Sequence, residues 1–442
     1  MPAFSSLKKH VFMKNKGLIC LILALLCPVF MLGQNVSIVG KTNIPNALVR
    51  LLTYDEMFTR EQTKLAETQS DKDGKFTLRT DIKEIKPAQI AINLDRIDVI
   101  LKPNGNYDFE IIIPEKGEGS YFEKEQPVLK INSIDDDGFY SQYIAVQSFV
   151  DDFLYDNFDK IFRGRKMSLL DTLDNQLVRN FGKIENDYIK DFVKYRKASV
   201  LMTINTKKTI SEYFDNQNVL YSQAAYMDVF FELFKGNVMP TDFLSRNPQL
   251  AELIQMQSLR KSYYANSKDK NTIFNELKTI ENSSKYQKNK VVAKNVAKQL
   301  NELAYDSKAP SFSLKDKNGN TIKLSDYQND MVLLQFVDTY SPLMEHEFST
   351  LKDLQKQWND TIQVVTIATK ESFESYIQLF EKQGFEWQLL NLGDNILLLE
   401  DYHVKTYPAY VILKSRGRIG MTPAPSPDRF LDKQVRRISK HL

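Results

Sequence analysis

The 442-residue sequence predicts a multi-domain chain: an N-terminal antiparallel β-sandwich, a central all-α region and a C-terminal α/β domain. Three textures carry that reading. Between Asn35 and Pro114, apolar and β-branched residues alternate in short runs divided by turn residues, as in a half-buried antiparallel sheet. From about Ser120 to Asp306, aromatic and aliphatic residues recur every three or four positions, which is helical spacing. From Ala309 onward strands alternate with helices, the pattern of a βαβ unit in a largely parallel sheet. The length suits about three domains.

Residues 1–33 stand apart. Lys8, Lys9, Lys14 and Lys16 precede an apolar run from Leu18 to Leu32, and no acidic residue occurs before Asp55. That is the pattern of a secretory signal peptide, with Met13 a second start and Gly33 the cleavage point. The run is short for a membrane span, so no transmembrane segment is expected in the mature chain. Neither Cys20 nor Cys27 follows a small residue, so lipid attachment is not expected. These are the only cysteines, and cleavage removes both. The exported chain then reaches an oxidising compartment without a thiol. Losing the four lysines also takes the formal charge from +3 to −1, so the slight basicity is no nucleic-acid footprint.

The sandwich, residues 34–115, is read from the runs Val36–Gly40, Ala47–Leu52, Lys75–Leu78, Ile90–Ile92, Val99–Leu101 and Tyr107–Ile111. Asp71 and Asp73 invite a calcium reading, but the twelve-residue ligand loop is absent, and Gly74 makes a turn the better account.

The helical part spans residues 116–306. Phe149, Phe153, Phe158 and Phe162 are spaced for one helix, and Leu169, Leu173, Leu177, Phe181 and Ile184 for the next, with Tyr188, Phe192 and Tyr195 extending that face. Further helices are expected over Val219–Phe234, Leu250–Tyr264, Asn271–Ile280 and Lys290–Leu303, punctuated by Met239-Pro240 and Asn247-Pro248. The aromatic stripe reads as packed core or as a binding groove; packing is the commoner use of such spacing.

In the last part, residues 307–442, Met331–Val337 reads as a buried strand and Phe348, Leu351, Leu354 and Trp358 as one face of the following helix. A second strand, Ile362–Ala368, a helix from Glu371 to about Lys382 and a strand opening on Pro408 complete the pattern. Here the residues resemble a family. Ala309-Pro310-Ser311-Phe312-Ser313-Leu314 with Asp316-Lys317-Asn318-Gly319 is similar to the opening strands of TlpA/ResA-type periplasmic thiol–disulfide oxidoreductases, which have the thioredoxin fold. Val404-Lys405-Thr406-Tyr407-Pro408 resembles their cis-proline loop, and Lys414-Ser415-Arg416-Gly417-Arg418-Ile419 their last hairpin. The first segment, more loosely, resembles the small β-sandwich domain of unknown function that precedes such domains in exported bacterial proteins.

The resemblance implies a Cys-x-x-Cys pair where this chain has Ser341 and Met344. Disulfide exchange needs a thiolate nucleophile and a resolving thiol, which a hydroxyl and a thioether cannot replace. Gln335 stands where thioredoxin itself has an acid. Ser341 followed by Pro342 is a natural helix N-cap with proline at the first helical position, and no nucleophile elbow surrounds it. His346 and His403 make a poor metal set without further ligands, and peroxiredoxin or copper-chaperone activity would need cysteine. No cofactor is expected. Tyr340, Pro342, Thr406, Tyr407 and Pro408 lie where the family docks an extended peptide; the alternative is that the fold alone requires that loop. The expectation is an exported, periplasmic, non-enzymatic module that binds a peptide or protein partner or docks to an outer-membrane or envelope complex. The alternative is a protein that assists a redox partner supplying both thiols.

Overall fold

A computed structural model describes residues 35–114, 126–235, 239–339, 342–358 and 361–440. They form two compact units, one up to Leu233 and one from Phe234. The order of architectures is the expected one: β-rich, then helical, then α/β.

The first unit opens with eight strands: β1 Val36–Thr42, β2 Leu48–Tyr54, β3 Gln62–Gln69, β4 Lys75–Thr80, β5 Lys86–Ile92, β6 Asp95–Leu101, β7 Asn106–Ile112 and β8 Val128–Asp135. They make two four-stranded sheets, ordered β4-β1-β7-β8 and β3-β2-β5-β6. Alternation does what the sequence pattern promises. Val36 and Ile38 of β1 face inward with Tyr107, Phe109 and Ile111 of β7, while Val39 turns outward. Two features differ from expectation. Strands β1 and β7 pair in parallel, so the sandwich is not wholly antiparallel. β8 falls inside the stretch read as helical, because its exposed, polar run Lys130-Ile131-Asn132-Ser133 lies on a sheet edge and buries little.

The turn before β4 settles how Asp71 is used. Its Oδ1 accepts from Asp73 N–H and Lys75 N–H, each at 2.8 Å, as in an Asx turn. Gly74 has a φ of 78°, and a Cβ there would lie 1.9 Å from the Thr42 carbonyl oxygen. Gly74→Ala should therefore lower the stability of this unit by about 2–3 kcal/mol, since an unfavourable backbone conformation is joined by a clash with main chain. Thermal unfolding followed by circular dichroism checks this; an unchanged midpoint contradicts it.

Helices α1 Phe139–Asp156, α2 Ser168–Phe181, α3 Asp187–Ile204, α4 Thr206–Tyr213 and α5 Ala224–Phe234 follow. Asn186 caps α3 by accepting from Tyr188 and Ile189 N–H. The aromatic stripe divides. Phe153 is buried, whereas the helix does not continue to Phe158, which lies half-exposed beside a single π-helical turn, Asp159–Arg163.

The second unit holds α6 Thr241–Arg246, α7 Pro248–Tyr264, α8 Lys270–Ser283 and α9 Gln287–Asn301, then the α/β domain. That domain adds strands β9 Ser313–Asp316, β10 Thr321–Lys323, β11 Met331–Val337, β12 Ile362–Ala368, β13 Gln388–Asn391, β14 Ala409–Lys414 and β15 Arg418–Ala424. Its helices are α10 Pro342–Trp358, α11 Phe373–Gln383, α12 Leu397–Asp401 and α13 Leu431–Ser439. One seven-stranded sheet, β10-β9-β13-β12-β11-β14-β15, forms its centre. β11 and β12 pair in parallel; β14 joins β11 antiparallel. Every residue of β11 is buried, as expected of a strand covered on both faces. Phe348 and Leu351 of α10 pack on one face with Tyr376, Phe380 and Trp387.

Candidate functional site

β11 ends beside the first turn of α10 and the start of β14, and that meeting point is the candidate site. The connection out of β11 is fixed from β12: Thr369 N–H donates to the Val337 carbonyl at 3.1 Å, and Thr369 Oγ1 donates to Asp338 Oδ1 at 2.7 Å. Helix α10 then opens at Pro342, the position where a missing N–H is harmless. The register places Ala409 opposite Phe336, which brings the preceding Tyr407-Pro408 peptide to the end of β11. That peptide is cis.

The predicted residues fare differently. Tyr340 and Ser341, and with them the capping role given to Ser341, lie outside the described residues. Pro342 begins α10. Met344 is 4% exposed and belongs to the core beneath the helix. Thr406 is exposed, and Tyr407 and Pro408 are half-buried at the rim. His346 is exposed, and His403 stands 3.8 Å from Glu302 beyond α12. The cysteines, Cys20 and Cys27, lie outside the described residues.

Beneath the rim runs a chain of buried hydrogen bonds that sequence reasoning missed. Trp387 Nε1–H donates to Thr366 Oγ1 at 3.0 Å, and Thr366 Oγ1–H donates to Gln335 Oε1 at 2.8 Å. Gln335 Nε2–H donates to Tyr410 Oη at 3.1 Å, and Tyr410 Oη–H donates to Glu347 Oε2 at 2.6 Å. All four donors point the same way and end on one carboxyl group, so each bond polarises the next. A signal for it existed. Gln335 is the polar residue in Met331–Val337, and it pairs with Thr366 on one side and Tyr410 on the other. Three adjacent apolar strands thus each carry one polar residue at the same register. Gln335 replaces an acid with a neutral relay that both accepts and donates.

Glu347 lies on the second turn of α10. Burial raises its carboxyl above the usual glutamate range, outweighing the Tyr410 hydrogen bond that favours the charged form. Asp428 pushes it the same way, and Arg429 and His346 oppose it. Burial, reinforced by the Glu347 carboxyl, pushes the Tyr410 phenol far up as well, so it stays a donor. The arrangement places the cis-proline loop beside a buried proton-binding group. Thiol exchange would require a thiol, which Gln335, Glu347 and the thioether of Met344 do not supply.

Comparisons with known proteins agree with this geometry. Residues 305–422 match the AhpC/TSA family. Thioredoxin-like protein YneN of Bacillus subtilis (strain 168) is 31% identical over 113 residues, covering 25% of this chain and 66% of that protein. Thiol-disulfide oxidoreductase ResA of the same organism is 25% identical over 118 residues, covering 26% of this chain and 65% of that protein. The chain thus spans just under two thirds of the length of these two relatives. Among solved structures, the thioredoxin domain of a thiol-disulfide oxidoreductase from Bacteroides vulgatus is 21% identical, with 31% of this chain and 98% of that chain covered and a TM-score of 0.28. The central sheet, the cis-proline loop and the matched relatives make the C-terminal domain TlpA/ResA-like, with a thioredoxin-like fold.

Proposed function

We propose that this protein is an exported, non-catalytic binding module whose C-terminal domain docks an extended peptide or protein partner of the cell envelope at the cis-proline edge. The observation that carries the reading is Met344. The position where the family needs its resolving thiol is filled by a thioether packed at 4% exposure into the core. Such a side chain stabilises the helix from below and offers nothing to a disulfide. The half-buried Tyr407 and Pro408 and the exposed Thr406 remain at the rim, where an aromatic ring beside a cis-proline suits an extended peptide.

Export is supported by the basic, apolar leader of residues 1–33. Among the described residues no helix is long and apolar enough to cross a membrane. A second reading draws on the family itself: the domain assists a redox partner that supplies both thiols.

Two measurements separate these readings. The chain lacking residues 1–33 should not accelerate the reduction of insulin disulfides by dithiothreitol beyond a heat-treated control; acceleration would overturn the non-catalytic reading. Affinity capture of the tagged chain from an envelope fraction should retain a partner that Tyr407→Ala releases. Capture unaffected by Tyr407→Ala would place the partner on another surface.

A further inference from the structure

The docking face leaves the π-helical turn of the first unit unexplained. Asp159–Arg163 is closed by Gly164 N–H to the Asp159 carbonyl at 2.9 Å and by Lys166 N–H to the Lys160 carbonyl at 3.0 Å. Single π-helical turns are rare and gather at functional sites. Gly164 is required by space, because a Cβ there would lie 2.7 Å from the Lys160 carbonyl oxygen. Arg165 follows with a φ of 51°, a conformation that side chains seldom adopt. Ile161 anchors the turn, fully buried. Around it the chain turns apolar surface outward: Tyr155 is 83% exposed and Phe158 50%. The Phe158 and Phe162 rings stand 4.6 Å apart, so the pair is already assembled. Lys160 lies between these rings in the sequence, Arg163, Arg165 and Lys166 follow them, and all four are exposed.

We propose that this turn docks on an anionic lipid surface, seating Tyr155, Phe158 and Phe162 in the headgroup region. Amphipathic and aromatic rings favour that region, and Lys and Arg stems reach back from it to charged headgroups. Between Tyr155 and Lys166 four cations face two carboxylates, and one of those, Asp159, is paired with Arg163 at 3.3 Å. The complement of that charge is a broad negative field. Two tilted rings in contact beside four exposed cations make an amphipathic patch, which suits a deformable lipid surface better than a folded partner. The proposal does not depend on the cis-proline docking face.

Co-sedimentation of the chain lacking residues 1–33 with vesicles tests it. Binding is expected to phosphatidylethanolamine vesicles containing phosphatidylglycerol, weak binding to phosphatidylcholine alone, and loss as salt rises. Arg165→Glu with Lys166→Glu should weaken partitioning at least tenfold, at about fivefold for each cation removed. Tyr155→Ala with Phe158→Ala, at exposed positions and with unchanged circular dichroism, should weaken it about tenfold. Equal sedimentation of wild type and both variants overturns the proposal. So does failure to sediment with anionic vesicles, including the case in which the same variants instead release a captured protein.

Discussion

Phe348→Ala should lower the stability of the C-terminal domain by about 3–5 kcal/mol, the largest single loss expected in this chain. Phe348 is fully buried on α10. Its ring stacks on Tyr376 and Trp387 at centroid distances of 5.7 and 6.0 Å and meets Phe380 and Phe385 at 5.7 and 5.6 Å. Truncation removes the transfer energy of the ring and leaves a cavity walled by four other rings, which cannot collapse without abandoning their own contacts. Favourable ring-pair geometry adds to what area alone contributes. The measurement is unusually clean. Both tryptophans of the sequence, Trp358 and Trp387, lie in this domain, so urea unfolding followed by tryptophan fluorescence reports it alone. A loss below about 1.5 kcal/mol would mean that the rings repack and that α10 is not pinned at this point. Because α10 also carries Met344 and Glu347, partner capture at the cis-proline edge should weaken in the same variant.

What the sequence made legible follows from where information is local. Met331–Val337 and Ile362–Ala368 are largely apolar runs flanked by polar residues, and each became a buried strand at the boundaries read from the sequence. Pro408 announced the cis-proline loop because its neighbours match a known pattern. β8, β3 and β13 were not visible, since Gln62–Gln69 is largely polar and Gln388–Asn391 is only four residues long. They are held by pairing, β3 with β2, β8 with β7, and β13 with β12 and β9, which periodicity does not encode. The same holds for the site. Met344 could be placed by register with the family, but its depth could not. Gln335 drew notice as a replaced acid, while the rest of the hydrogen-bond chain comes from β12 (Thr366), β14 (Tyr410), α10 (Glu347) and the loop before β13 (Trp387) and meets only in the folded domain.

That buried chain yields the second large effect, and its signature is in the pH dependence. Tyr410→Phe removes the hydroxyl that donates to Glu347 Oε2 and accepts from Gln335, leaving a buried carboxylate and a buried amide each short of a partner. A loss of about 2–3 kcal/mol is expected at neutral pH. Glu347→Gln should behave in the opposite sense. The folded chain holds the Glu347 proton more tightly than the unfolded chain, since burial raises the carboxyl. Stability therefore falls as pH climbs from the ordinary glutamate value, about 4.3, through the raised folded value, and is level above it. The amide of Glu347→Gln cannot ionise, yet its oxygen still accepts from Tyr410. The variant should match wild type below that window and exceed it above, with the gap opening across the window itself. Asp428, Arg429 and His346 face the same carboxyl and are present in both proteins, so the difference between the two curves isolates Glu347. Tyr410→Phe, which strips away a hydrogen bond favouring the charged form, should shift the window to higher pH. Urea unfolding by tryptophan fluorescence at a series of pH values decides the matter. Parallel curves for wild type and Glu347→Gln would show that the chain of donors ends on a carboxyl no different from one in water.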